Sequence, residues 1–201
     1  MSRISLPAPA KINWFLHIIG RRADGYHLLQ TGFQFLDYCD VLHFEPCSGR
    51  TVELISQDID IPTTENLIWK AAEALKPFAQ GGTGIRIECE KKIPLGSGLG
   101  GGSSDAATTL IALNHLWQAN RSQEELMAIG LRLGADVPFF LFCESAIGQG
   151  VGEELTPYSR PEFPCLVVIP PVHVSTAVLY HDKDLTRNTK PLQYNSLLSV
   201  P

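Results

Sequence analysis

The chain has 201 residues, 44% of them hydrophobic, and a formal charge of −5, enough apolar material for a packed core and too much for a natively disordered chain. Its 16 basic residues are scattered, with only Arg21-Arg22 and Lys91-Lys92 adjacent, so composition leaves no footprint for nucleic acid or an anionic membrane surface. Cys39, Cys47, Cys89, Cys143 and Cys165 form no CxxC pair and no run approaches the ~20 apolar residues of a membrane span; the expectation is a reducing cytoplasm, with no disulfide framework, zinc site, signal peptide or transmembrane helix.

In chain order, Ile12, Trp14, Leu16 and Ile18 alternate with Lys11, Asn13, Phe15 and His17, the period of a strand, which turns Lys11 and Asn13 to one side. Gly20 and Asp24-Gly25 punctuate the next segment, and "VLHFEP" and "TVELIS" predict further short strands. "TTENLIWKAAEALKPFAQGG" predicts a helix capped by Thr63 or Thr64, with Leu67, Ala71 and Ala74 on its inner face and Pro77 at its end. "GIRIECE" alternates as a strand; Ala106, Leu110, Leu113 and Trp117 then mark a helix starting near Ser103 or Ser104. Ser122-Gln123-Glu124-Glu125 opens another helix with a capping box, carrying Leu126, Ile129 and Leu133 inward and ending at Gly134 despite the internal Gly130. "VPFFLF", "SAIGQGVGEEL" and "FPCLVVIPP" predict strands, the last a buried one, and a boundary falls near Tyr158 to Pro164. The order predicts an α+β protein with one domain over residues 1–160 and a short remainder over 161–201, too small for a core of its own.

Between the "GIRIECE" strand and the helix after it lies "KKIPLGSGLGGGSSDAATTL", with five glycines in the seven residues from Gly96 to Gly102. A glycine-rich turn that opens a helix gathers N–H groups at the positive end of the helix dipole and suits a phosphate. Gly96, Gly98 and Gly101 fit GxGxxG, but a dinucleotide fold wants an acidic residue at the end of the next strand, and Glu124 and Glu125 occupy that distance at a helix start. No lysine follows the loop as a P-loop requires, and the protein-kinase HRD and DFG segments are missing.

"PLGSGLGGGSS" instead resembles the Pro-x-x-x-Gly-Leu-Gly-Ser-Ser signature of the GHMP small-molecule kinases. "PAPAKINWFLHIIGRRADGYHLLQT", "PLGSGLGGGSSDAATTLIALNHLW" and "LGADVPFF" follow in the order and spacing of one branch of that superfamily, with a less specific match through "LTRNT". The resemblance implies a GHMP N-terminal domain of the ribosomal protein S5 domain 2-like type, followed by an incomplete second α+β domain. It implies ATP and Mg²⁺ as cofactors and a small-molecule partner, in this branch a cytidine diphosphate-linked methylerythritol of the non-mevalonate isoprenoid route. The family carries a second glycine-rich segment further on, which this sequence, ending at Pro201, does not contain; a C-terminally truncated chain is the expectation, with a nucleotide-binding fragment that turns nothing over as the alternative. Homoserine or mevalonate kinase activity is the near alternative within the superfamily.

Roles follow from the resemblance. Pro94, Leu95, Gly96, Ser97, Gly98, Leu99, Gly100, Gly101, Gly102, Ser103 and Ser104 form the nucleotide loop, its N–H groups on the phosphates and the two final serine hydroxyls near the phosphates or Mg²⁺. Lys11 and Asp136 match the family's catalytic lysine and base. Tyr26 and His27 would stack on and hydrogen-bond the cytosine, Asn13 would add a polar contact, and Tyr180 would be a second aromatic against the base. Asn66 and Lys91 are candidates for the adenine side. Asp105, an acid close to a phosphate loop, reads as a helix-start residue with a route to Mg²⁺ as the alternative, and no metal-ligand spacing links the histidines.

Overall fold

The computed structural model describes residues 3–23, 25, 27–56, 61–158, 164–170, 179–180 and 182–193. The chain forms two compact units, Met1–Ile12 with Phe35–Cys143, and Asn13–Gln34 with Glu144–Pro201. Two long strands, β1 (Ile4–Arg21) and β2 (His27–Pro46), pair with each other and contribute residues to both units.

In the first unit, β2 pairs antiparallel with β4 (Ile85–Glu90) from Val41↔Glu90 to Pro46↔Ile85, and β4 pairs parallel with β3 (Val52–Ser56). A parallel pair needs a crossover, and α1 (Leu67–Leu75) lies in the connection from β3 to β4. The strand alternation holds: Ile85, Ile87 and Cys89 are buried, Arg86, Glu88 and Glu90 are not. Helices α2 (Gly101–Leu116), α3 (Gln123–Leu133) and α4 (Val137–Phe142) complete the unit, with α2 packed against α1, α3 and α4. Ala106, Leu110, Leu113 and Trp117 are buried as their spacing predicts, but so is every residue from Ser104 to Leu110, so α2 is a central helix rather than an amphipathic one. The Ser122 capping box is present on both sides of its exchange. Gly130, awkward in a helix by propensity, has a packing reason: a Cβ there would lie 2.7 Å from Leu141 and 2.8 Å from Val137.

Three expectations need correction here. The cap of α1 is Asn66, whose side chain accepts from the Ile68 N–H at 2.9 Å, because Thr63 and Thr64 are absorbed in a preceding 3-10 turn; the shift puts Ile68, Ala71, Ala72 and Leu75 inward, not Leu67 and Ala74. "VPFFLF" is the helix α4, since Pro138 sits in its first turn with φ preset for a helix, and a short apolar run does not by itself distinguish a strand from a buried helix. Phe139 stacks on Phe35 at 4.4 Å and meets Phe140 edge-on at 5.2 Å. "FPCLVVIPP" is not a buried strand over its described part: residues 164–170 carry no regular structure, and Leu166 and Val168 are 90% and 76% exposed.

In the second unit, Thr31–Phe33 of β2 pairs antiparallel with β5 (Ala146–Gln149), and β5 turns back through Gly150 and Gly152 onto β6 (Glu154–Pro157). Gln30, 1% exposed, exchanges two hydrogen bonds with the Leu192 backbone at 2.8 and 3.1 Å.

Candidate active site

The glycine loop lies in the first unit, fed by β4 and emptying into α2. Gly96, Gly98 and Gly100 take left-handed φ values of 68°, 77° and 75°, which fold the backbone into a cradle that side chains would fill. Helix α2 starts at Gly101, with Gly100 as its N-cap, ahead of the expected Ser103 or Ser104. The Lys11 N–H donates to the Leu99 carbonyl at 2.9 Å, and Leu99 is buried with Ala10 and Ile93, so β1 pins the loop at its centre. The loop, Lys91, Ser103 and Asp136 line a cleft of about 250 Å³. Ser104 is 1% exposed and its hydroxyl has no partner among the described residues. A cradle of left-handed glycines, a helix N-terminus and a spare buried hydroxyl are a donor set that fits a nucleotide's phosphates.

The loop's steric demand predicts a graded mutational response. At Gly100 a Cβ would lie 2.8 Å from Phe140 and 3.1 Å from Lys11; at Gly98 it would meet nothing within 4 Å. Gly98→Ala should therefore carry only the conformational penalty, about 1 kcal/mol. Gly100→Ala adds overpacking and should cost about 2–4 kcal/mol in unfolding experiments, with nucleotide affinity by calorimetry falling further than in Gly98→Ala.

Asp136, which lines this cleft, meets Lys11. The Lys11 Nζ is 3.3 Å from Asp136 Oδ2, with side chains 6% and 36% exposed. Asp136 sits in the turn between Gly134, where α3 ends, and Val137, where α4 begins. These termini bring the carboxylate to a lysine 125 residues away in sequence.

Asp105 departs from its expected role. With α2 starting at Gly101 it lies beyond the first turn, is 3% exposed, and accepts from Lys91 Nζ at 2.7 Å. Lys91 also pairs with Asp40, fully buried, whose Oδ1 accepts from the Lys92 and Ile93 N–H groups at 2.5 and 2.8 Å. Burial is the largest influence on Asp105; helped by Asp40 and opposed by Lys91, it pushes the carboxyl from an ordinary 3.8 up to about 7. The two carboxylates hold the Lys91 ammonium charged against its own burial, raising its pKa. Because native Asp105 keeps a proton that the unfolded chain has already lost, this group's contribution to stability falls as pH rises from about 4 to about 7 and levels off above. Denaturation curves of the parent and Asp105→Asn across that window should show the parent losing stability relative to the variant; a constant difference would contradict it.

The residues expected at a cytosine head group fall in the second unit. His27 and Tyr180, far apart in sequence, stack with ring centroids 4.9 Å apart and planes 21° from parallel. Asn13 donates its side-chain amide to Thr31 Oγ1 at 2.7 Å. Tyr26 lies outside the described residues. Of the two adenine-side candidates, Lys91 lines the cleft but is paired as above, and Asn66 is the α1 cap.

Residues 66–144 match the GHMP kinases N-terminal domain. The chain is 50% identical over 193 residues to 4-diphosphocytidyl-2-C-methyl-D-erythritol kinase of Nitrosococcus oceani, covering 96% of this chain and 69% of the relative. It is 52% identical over 196 residues to the enzyme of that name in Pseudomonas aeruginosa, covering 98% and 70%. The chain belongs to this family of GHMP kinases. A crystal structure of 4-(cytidine 5'-diphospho)-2C-methyl-D-erythritol kinase superposes with a TM-score of 0.74 at 40% identity, over 88% of this chain and 63% of that one, so this chain spans less than two thirds of that structure. Among the described residues no helix is long and apolar enough to cross a membrane. Within this GHMP framework, sequence reading missed Asp40 as one of the two carboxylates on Lys91 and Arg187 as a hydrogen-bond donor to His27. Asp40 sits in a strand among apolar residues, where a lone carboxylate signals a buried pair but not its partner.

Proposed function

We propose that this chain carries the nucleotide-binding and catalytic part of an ATP-dependent kinase that phosphorylates the 2-hydroxyl of 4-diphosphocytidyl-2-C-methyl-D-erythritol, a step of non-mevalonate isoprenoid synthesis. One observation carries the reading: Asp136, in the wall of the cleft that the glycine loop lines, forms an ion pair with Lys11. In this reading residues 1–160 are the GHMP catalytic domain and 161–201 the start of a substrate domain, in a cytoplasmic protein.

The loop N–H groups bind and orient the nucleotide phosphates, and the Ser103 and Ser104 hydroxyls would hold Mg²⁺ there, where the cation would offset phosphate charge. When bound, ATP supplies the phosphoryl group. Asp136 accepts the acceptor hydroxyl's proton at its carboxylate, and Lys11 orients that carboxylate and places a fixed positive charge beside the oxygen that loses the proton. Phosphoryl transfer needs positioning and charge more than covalent help, so this small set suffices. His27, Tyr26, Asn13 and Tyr180 are the proposed head-group contacts. The relatives' names favour the cytidine-linked acceptor over homoserine or mevalonate.

An acceptor comparison tests the assignment. With ATP and Mg²⁺ in excess, kcat/KM for 4-diphosphocytidyl-2-C-methyl-D-erythritol should exceed that for homoserine and mevalonate at least about a hundredfold, since a site built for a polar ring discriminates strongly against ligands lacking it. Comparable rates, or a preference for either of the others, would overturn the cytidine reading.

A further inference from the structure

No metal-ligand spacing links the histidines, yet His43 sits in a chain of hydrogen bonds of another kind. Ser5 Oγ lies 2.7 Å from His43 Nδ1, and His43 Nε2 lies 2.9 Å from Glu90 Oε1. The fold draws the three from separate strands of the first unit: Ser5 from β1, His43 from β2 and Glu90 from β4. Glu90 alternates with buried Cys89, so the group stands on the sheet face opposite Ile85, Ile87 and Cys89. Ser5 is six residues upstream of Lys11 on β1, about 20 Å at a strand's rise, which sets it apart from the glycine-loop cleft.

The partners fix where the protons sit. A carboxylate only accepts, so the bond to Glu90 puts a proton on His43 Nε2. In the neutral ring Nδ1 then carries the lone pair and accepts from the Ser5 hydroxyl. Nucleophile, base and orienting carboxylate thus follow in the order that activates a serine. Exposure divides as those roles require: the His43 side chain is 14% exposed and held between its partners, while Ser5 faces solvent. Arg3, two positions before Ser5, binds Glu88 at 2.9 Å and adds to the same face a cation able to offset oxyanion charge.

We propose that Ser5, His43 and Glu90 form a second reactive site, a serine nucleophile that takes small activated esters. Ser5 Oγ attacks the ester carbonyl as its proton passes to His43 Nδ1. The Oγ–acyl bond forms, the ester C–O bond breaks, and the departing oxygen takes the proton from Nδ1. Water then attacks the acyl carbon, giving its proton to Nδ1; the acid leaves and the proton returns to Ser5 Oγ. Glu90 orients the ring and keeps Nε2 protonated throughout. General-base activation sets the scale, about a hundredfold over an ordinary surface serine.

A fluorophosphonate ester tests the nucleophile, because fluoride leaves as the Oγ–P bond forms. The full chain should carry one adduct, mapped to Ser5 by peptide mass spectrometry. His43→Gln should slow that labelling about a hundredfold. Glu90→Gln should slow it about tenfold, since its amide oxygen still accepts from Nε2–H but lacks the charge. Turnover of 4-nitrophenyl acetate should fall in the same order, with Ser5→Ala as low as His43→Gln. The Kd for a non-hydrolysable ATP analogue should be the same in all four proteins, a readout that unfolding would not spare. No adduct, an adduct on another residue, or Ser5 labelled as fast in either variant as in the parent would overturn the proposal.

Discussion

Asp136→Asn is expected to lower the rate of phosphoryl transfer by about a thousandfold, the usual scale for loss of a positioned general base, while nucleotide binding and fold survive. Asparagine fills the same volume and its carbonyl oxygen still faces Lys11 Nζ, 3.3 Å from the present carboxylate, but it takes up no proton. With Asp136 side-chain exposure at 36%, the lost ion pair should weaken the fold by only about 1 kcal/mol. Lys11→Met should also be nearly inactive; the double variant should be little worse than either single one, because residues that act as a unit are non-additive. Rates from a coupled ADP assay, with parallel thermal melts, check both halves. A loss under about tenfold in Asp136→Asn would remove it from the role of base.

Lys91→Met is expected to be the most destabilising single change at the site, by about 3–5 kcal/mol, because it leaves the buried Asp40 carboxylate without its cation and the buried Asp105 carboxyl without its donor. The three side chains tie together β2 through Asp40, the exit of β4 through Lys91 and α2 through Asp105, on both sides of the glycine loop. Asp105→Asn should be far milder, since its amide oxygen still accepts from Lys91 and the cluster loses its surplus negative charge. Urea titration of the two variants reads the difference directly. Equal destabilisation would mean that Asp105 matters for charge, and an unaffected Lys91→Met would mean that the cluster does not hold the loop.

What was legible in the sequence follows physical periodicity. β4 and the capping box of α3 were readable because alternation and Ser-x-x-Glu are local signals. The loop was readable because glycines at 96, 98 and 100 are needed for left-handed turns, whatever the tertiary context. "VPFFLF" misled because a six-residue buried helix and a buried strand have the same apolar run, and only the first-turn proline distinguishes them. "FPCLVVIPP" misled because a strand is realised only against a partner strand, and among the described residues nothing pairs with 164–170. Asp40 and Arg187 were hidden for a different reason: their partners, Lys91 and His27, lie 51 and 160 residues away, and no spacing rule reaches that far. Lys11 and Asp136 would have shared that fate, since each alone is a plausible surface residue; a family motif named them, and the fold then put them 3.3 Å apart.

The central claim, that glycine loop, Lys11 and Asp136 form one phosphoryl-transfer site in this chain, is tested most directly by product mass. The 201-residue chain incubated with ATP, Mg²⁺ and 4-diphosphocytidyl-2-C-methyl-D-erythritol should convert the acceptor to a species heavier by one phosphate, with Asp136→Asn giving none in the same time. An unchanged acceptor mass with the parent chain, under conditions where the ATP analogue binds, would contradict it.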